Sequence, residues 1–146
     1  MEQKDLVGSW QLVSIELTRK DVDTGPPPFG GDAQGMLHYL PDGRMAVMIY
    51  NGTRPAIAGG RHGGSDAEWR SAARSFTAYA GRYTILPDTI VHHVDINSYP
   101  NDVGVDYVRI AWLEAGSLVL ETPPDLPPDQ RAMRLVWRRH AGEPLP

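Results

Sequence analysis

The chain has 146 residues, 41% hydrophobic and 22% charged, the make-up of one globular domain with a single sizeable core. Its 14 basic and 18 acidic side chains give a formal net charge of −4 without any Lys/Arg run, which excludes the basic footprint of a nucleic-acid binder or of a protein held on anionic lipid. The absence of cysteine excludes disulfides, thiolate catalysis, iron–sulfur clusters and Cys-based zinc sites. No basic-then-apolar leader and no run approaching 18 apolar residues is visible, so a cytoplasmic protein with no membrane partner is expected.

In chain order, Trp10–Leu17 reads as a first strand, preceded by Gly8-Ser9-Trp10. Residues 21–34 are loop, since Gly25-Pro26-Pro27-Pro28 fits neither helix nor central strand. Strands over Gly35–Leu40 and Arg44–Tyr50 flank Asp42-Gly43, a two-residue hairpin signal. A Gly-rich loop, Asn51–Gly64, leads to one helix, predicted over Ser65–Tyr79. Ser65 is its N-cap, Glu68 holds the capping-box position, and the helix is expected to pack on the sheet and end at Gly81. Five further segments follow. Arg82–Leu86 and Thr89–Ile96 flank a Pro87-Asp88 turn. Val105–Leu113 and Ser117–Thr122 flank an Ala115-Gly116 turn, and Met133–Arg139 follows a loop with four prolines. The fold class is therefore all-β with one helix: an eight-stranded antiparallel barrel, a size that encloses one small ligand.

Period-two alternation assigns faces once each turn sets a register. Two residues at Ala115-Gly116 put Arg109 opposite Thr122, and the more apolar face of that hairpin carries Tyr107, Arg109, Ala111, Leu120 and Thr122 inward. A buried Arg109 needs an acidic partner or an anionic ligand. On the first strand two readings stand. If Trp10 plugs the barrel end, Leu12, Ser14 and Glu16 face in and Glu16 meets Arg109; otherwise Val13, Ile15 and Leu17 face in and Glu16 is solvated. A two-residue turn at Pro87-Asp88 sets Tyr83 opposite His92, with Ile90, His92, Val94 and Ile96 inward. His93 points the other way, so the two histidines do not share a metal, and no metal site is expected. On the Asp42-Gly43 hairpin the face with Leu37, Tyr39, Ala46, Met48 and Tyr50 is preferred inward, because tyrosines suit a cavity with few polar groups. Val108, Ile110 and Trp112 then point outward, where the helix or a second subunit of a homodimer would cover them.

No P-loop, Gly-x-Ser-x-Gly elbow or His-Glu-x-x-His occurs, and Gly-x-Gly-x-x-Gly does not follow a strand, so no cofactor is expected.

Several segments together carry a resemblance. They are Leu6-Val7-Gly8-Ser9-Trp10-Gln11-Leu12-Val13-Ser14, Tyr39-Leu40-Pro41-Asp42-Gly43-Arg44-Met45, Gly64-Ser65-Asp66, Tyr79-Ala80-Gly81-Arg82-Tyr83, His92-His93-Val94-Asp95, Pro100-Asn101, Thr122-Pro123-Pro124 and Leu135-Val136-Trp137. In order and over nearly the whole chain, they resemble the bacterial and fungal lipocalin-like domain family. The resemblance implies a barrel with a pocket, Trp10 closing one end, and Arg138 or Arg139 packed across it. It also implies either of two roles, a ligand carrier or a cofactor-free enzyme of natural-product biosynthesis. On that basis the expected function is a cofactor-independent cyclase, isomerase or lyase acting on a small, largely apolar metabolite. The alternative is a non-catalytic small-molecule carrier. His92, Tyr83 and Glu16 are the candidate catalytic residues; Arg109, Tyr39, Tyr50, Tyr107, Ser14 and Thr122 are the candidate ligand contacts.

Overall fold

The computed structural model describes residues 1–142. Eight antiparallel strands run in sequence order and close on themselves: β1 (Gly8–Leu17), β2 (Ala33–Tyr39), β3 (Arg44–Asn51), β4 (Phe76–Ile85), β5 (Thr89–Asn97), β6 (Asp106–Glu114), β7 (Ser117–Glu121) and β8 (Met133–Arg139), with β8 pairing back onto β1. A short helix α1 (Gln3–Leu6) precedes β1, and α2 (Asp66–Arg74) lies between β3 and β4. No helix among the described residues is long and apolar enough to cross a membrane.

The up-and-down order sorts connections by length. The tight turns β2–β3, β4–β5 and β6–β7 fall at one end, with α1. The long loops β1–β2, β3–β4, β5–β6 and β7–β8 fall at the other. The first end is closed by packing. Leu6 and Trp10 are buried, and the Trp10 indole N–H donates to the Leu6 carbonyl at 2.8 Å. Arg139 is the arginine that crosses the tryptophan. Its guanidinium carbon sits 4.2 Å from the Trp10 ring centre, and the group donates to the Val7 carbonyl at 2.6 Å and to the Asp5 carbonyl. Arg139→Met is therefore expected to lower stability by about 1–2 kcal/mol, through one cation–π contact and the bonds that tie α1 to β8. Urea unfolding measures this; an unchanged midpoint would show that the plug holds without the arginine.

Two of the three expected hairpin registers hold. Tyr83 pairs with His92, and Ala111 with Leu120. The third slips by one residue. Tyr39 pairs with Met45, so the loop is Pro41-Asp42-Gly43, with Gly43 at φ 84° and Leu40 bonding Arg44 across it. A two-residue turn of the expected type needs positive φ at both positions. Ala115 and Gly116 supply that at φ 49° and 80°, whereas at Asp42-Gly43 only the glycine does. The slip turns Met45, Val47 and Ile49 inward and leaves Met48 and Tyr50 each 40% exposed.

The helix is shorter than its pattern suggested. The Ser65 cap is present, its hydroxyl accepting from the Glu68 amide, but α2 ends at Arg74. Residues 76–80 belong to β4, pairing Phe76 with Tyr50 and Ala80 with Ala46. Phe, Thr and Tyr favour a strand there, and ladder pairing outweighs a stripe that fits both periods. The helix was expected to pack on the sheet, yet its Trp69 is 45% exposed and the indole N–H donates to the Gly63 carbonyl at 2.8 Å. Nor does the helix cover the outer stripe of β6: α2 touches β4. Trp112 is overlaid by Arg134, 5.7 Å from its ring centre, and Val108 remains exposed.

Candidate functional site: a polar relay under an apolar cavity

A cavity of about 310 Å³ opens among the long loops, at the small end of the ~300–1,000 Å³ typical of small-molecule sites. Its walls are mostly apolar, with Leu37, Val47, Ile49, Leu120 and Leu135 from inward positions of four strands. The mouth is built by Phe29 of the β1–β2 loop, Tyr99 and Asp102 of the β5–β6 loop, and Asp129, Gln130 and Arg131 of the β7–β8 loop. The Asn51–Gly64 loop does not line it. Arg131 ties two mouth loops together, donating to Asp23 at 2.7 and 3.0 Å and to the Pro26 carbonyl at 2.8 Å. The paired guanidinium holds the Asp23 carboxyl below its usual range.

His92 is the polar centre, 1% exposed on the inward face of β5. Both ring nitrogens are engaged, Nε2 with the Tyr39 hydroxyl at 2.7 Å and Nδ1 with the Tyr79 hydroxyl at 2.9 Å. Burial, followed by the nearby Arg109 charge and then His93, pulls the His92 pKa down to about 3, so the ring is neutral over the ordinary range. Burial raises the phenols of Tyr39 and Tyr79; the neighbouring Arg109 partly offsets this for both. Each is therefore a protonated hydroxyl at neutral pH. Tyr79 stacks edge-on to Tyr107, ring centres 5.0 Å apart. Tyr107 in turn donates to Asp102 and accepts from Asn97 at 3.0 Å, which fixes it against the β5–β6 loop.

Among the predicted residues, His92, Arg109, Tyr107 and Thr122 line the cavity. Tyr39 lies beneath it as a partner of His92 and is fully buried. Thr122 spends its hydroxyl locally, accepting from the Met133 amide at 2.8 Å. Tyr83 faces inward but belongs to the closed end, donating to the Leu40 carbonyl at 2.8 Å and accepting from Gln3 at 3.2 Å. Three placements need correction. Glu16 is on the outer face, and Ser14 does not line the cavity, because an extra residue, Val13, bulges β1 between the Leu12–Trp137 and Ser14–Val136 pairs. The bulge exposes Val13 and brings Ile15 into the lining, so each reading of β1 applies to one half of the strand. Tyr50 is outside through the hairpin slip, its ring 5.9 Å from Arg54. A second bulge, at Asp95, turns Ile96 outward and leaves it 69% exposed.

Arg109 thus lacks its expected partner. No carboxylate forms a salt bridge with it among the described residues. It donates to the Val108 carbonyl at 2.8 Å and lies 5.1 Å from the centre of the Tyr107 ring. Tyr79 is the residue the sequence reading missed. It fell in the predicted helix, but counting back by twos from inward Tyr83 would have put it on the cavity face.

Comparison with known proteins agrees with this architecture. A segment of 87 residues is 31% identical to the 4'-hydroxy-3'-methoxypropiophenone carrier protein ppsC of Aspergillus oryzae (strain ATCC 42149 / RIB 40), covering 52% of this chain and 78% of that protein. The model of the lipocalin-like domain matches residues 7–140, and the chain belongs to that family.

Proposed function

We propose that this protein is a small-molecule binder that holds one compact, largely apolar ligand with an oxygen-bearing polar end. The observation that carries it is the cavity itself: apolar walls, an open mouth, and a few convergent polar groups at His92, Tyr79 and Arg109. The similarity to a protein named as an aryl-ketone carrier supports the same reading. Calorimetry with 4'-hydroxy-3'-methoxypropiophenone tests it. One site is expected, with Kd of order 10 μM at about 0.5 kcal/mol per non-hydrogen atom. Recovery of the ligand chemically unchanged supports a carrier; absence of saturable binding removes the reading.

One observation favours a catalytic reading: the linked Tyr39, His92 and Tyr79 could move a proton to or from a bound carbonyl compound beside Arg109. On that reading His92→Ala lowers turnover by roughly two to four orders of magnitude. Glu16, on the outer face, takes no part in it.

A further inference from the structure

The direction of the hydrogen bonds through His92 follows from which hydroxyl can spare a proton. A neutral imidazole has one N–H and one lone pair, so one tyrosine donates to it and the other accepts from it. Tyr39 is fully buried, and its hydroxyl has His92 as its only hydrogen-bond partner among the described residues. If Nε2 carried the proton, Tyr39 would accept and its own hydrogen would be stranded in an apolar interior. If Tyr39 donates instead, nothing is stranded there. Nε2 is the acceptor, and Nδ1 carries the hydrogen and donates to Tyr79. The Tyr79 oxygen is then occupied as an acceptor, and its own O–H is left over. Tyr79 lines the cavity, and so does Arg109, whose guanidinium stands beside that hydroxyl without a carboxylate partner.

We infer that the Tyr79 hydroxyl and the Arg109 guanidinium form a two-donor site for an acceptor oxygen of the ligand, a ketone carbonyl or a phenolate on a compact aromatic skeleton. The Tyr39–His92 pair acts through Tyr79, holding its oxygen so that the O–H faces the ligand. Deeper in the barrel the surplus is again on the donor side. The Trp137 indole N–H is the one buried side-chain polar atom without a partner among the described residues. A ligand that brings only donors would leave these groups unmatched.

This assignment rests on the binding reading above, and two measurements separate their fates. Long-range proton–nitrogen correlation spectra of the ligand-free protein report the His92 tautomer. Protonation at Nδ1 is expected, and protonation at Nε2 would overturn the assignment whatever binds. Calorimetry then compares propiophenone with propylbenzene, which has the same carbon skeleton but no carbonyl oxygen. Tyr79→Phe should weaken propiophenone about tenfold, the worth of one good hydrogen bond, and change propylbenzene less than twofold. Arg109→Met should act in the same selective way. Equal losses for both probes, or no loss for the ketone, would overturn the two-donor site and leave cavity binding intact. If neither probe binds the unaltered protein, both readings fall.

Discussion

Gly81→Ala is expected to lose 4 kcal/mol or more of stability, at the diagnostic end of single-substitution effects. Gly81 lies in the middle of β4, opposite the β5 bulge at Asp95. A Cβ there would sit 1.9 Å from the His93 carbonyl oxygen and 3.0 Å from the Asp95 amide nitrogen. Both are backbone atoms held by strand pairing, so no side chain can swing aside. Relief requires parting β4 from β5 beside His92. For a domain of this size the loss corresponds to a melting point lower by roughly 10 °C. Gly43→Ala is the comparison. Its Cβ would meet nothing within 4 Å, and only the φ of 84° is unfavourable, so about 1–2 kcal/mol is expected. Equal melting points for the two variants would contradict the bulge.

The second large effect is on acid stability. His92 is held neutral in the fold with a pKa of about 3, whereas the unfolded chain takes up the proton near 6.5. Above pH 6.5 both states are neutral and His92 adds no pH dependence. Below it only the unfolded chain is protonated, so stability falls as pH falls, by roughly 2 kcal/mol between pH 7.5 and 5 and of order 4 kcal/mol by pH 3. The groups around the ring reinforce this. Arg109 repels the imidazolium, and Tyr39 and Tyr79 are protonated phenols that supply no counter-charge. Asp21, Asp23 and Glu68 have lowered pKa values, so the stability they bring is present above their unfolded values and is lost at lower pH than this window. Urea midpoints across pH 5–7.5 read the effect. His92→Gln is expected to be less stable at pH 7.5 but to lose that 2 kcal/mol slope. The same slope in both proteins would mean that His92 does not titrate as the burial implies.

How much of this was legible follows from what sets each register. Turns with a defined geometry could be read from residue type. Positive φ at Ala115-Gly116 and the short link at Pro87-Asp88 put Arg109, Thr122, Tyr83 and His92 on the inner face as expected. Trp10 was legible because one large residue after a glycine at the strand start has a single place to go. What failed were the features that insert one residue into a two-residue period. The three-residue turn at Pro41-Asp42-Gly43 moved Tyr50 outward, and the bulges at Val13 and Asp95 moved Glu16 and Ile96 outward. Bulges arise from curvature and closure of the whole barrel, which no local pattern reports. Tyr79 was hidden differently. The Ala-rich run before it satisfies helix and strand alike, and its pairing partner on β3, Val47, lies 32 residues away.

The central claim is that the cavity at the open end is the ligand site. Nuclear magnetic resonance tests it most directly, by titrating 4'-hydroxy-3'-methoxypropiophenone into the labelled protein and recording intermolecular contacts. Saturable shifts are expected with contacts from the ligand ring to Leu37, Val47, Ile49 and Leu120, side chains that line the cavity on three strands. Saturable shifts confined to the outer face of β6, around Val108 and Trp112, or no saturable shift at all, would contradict it.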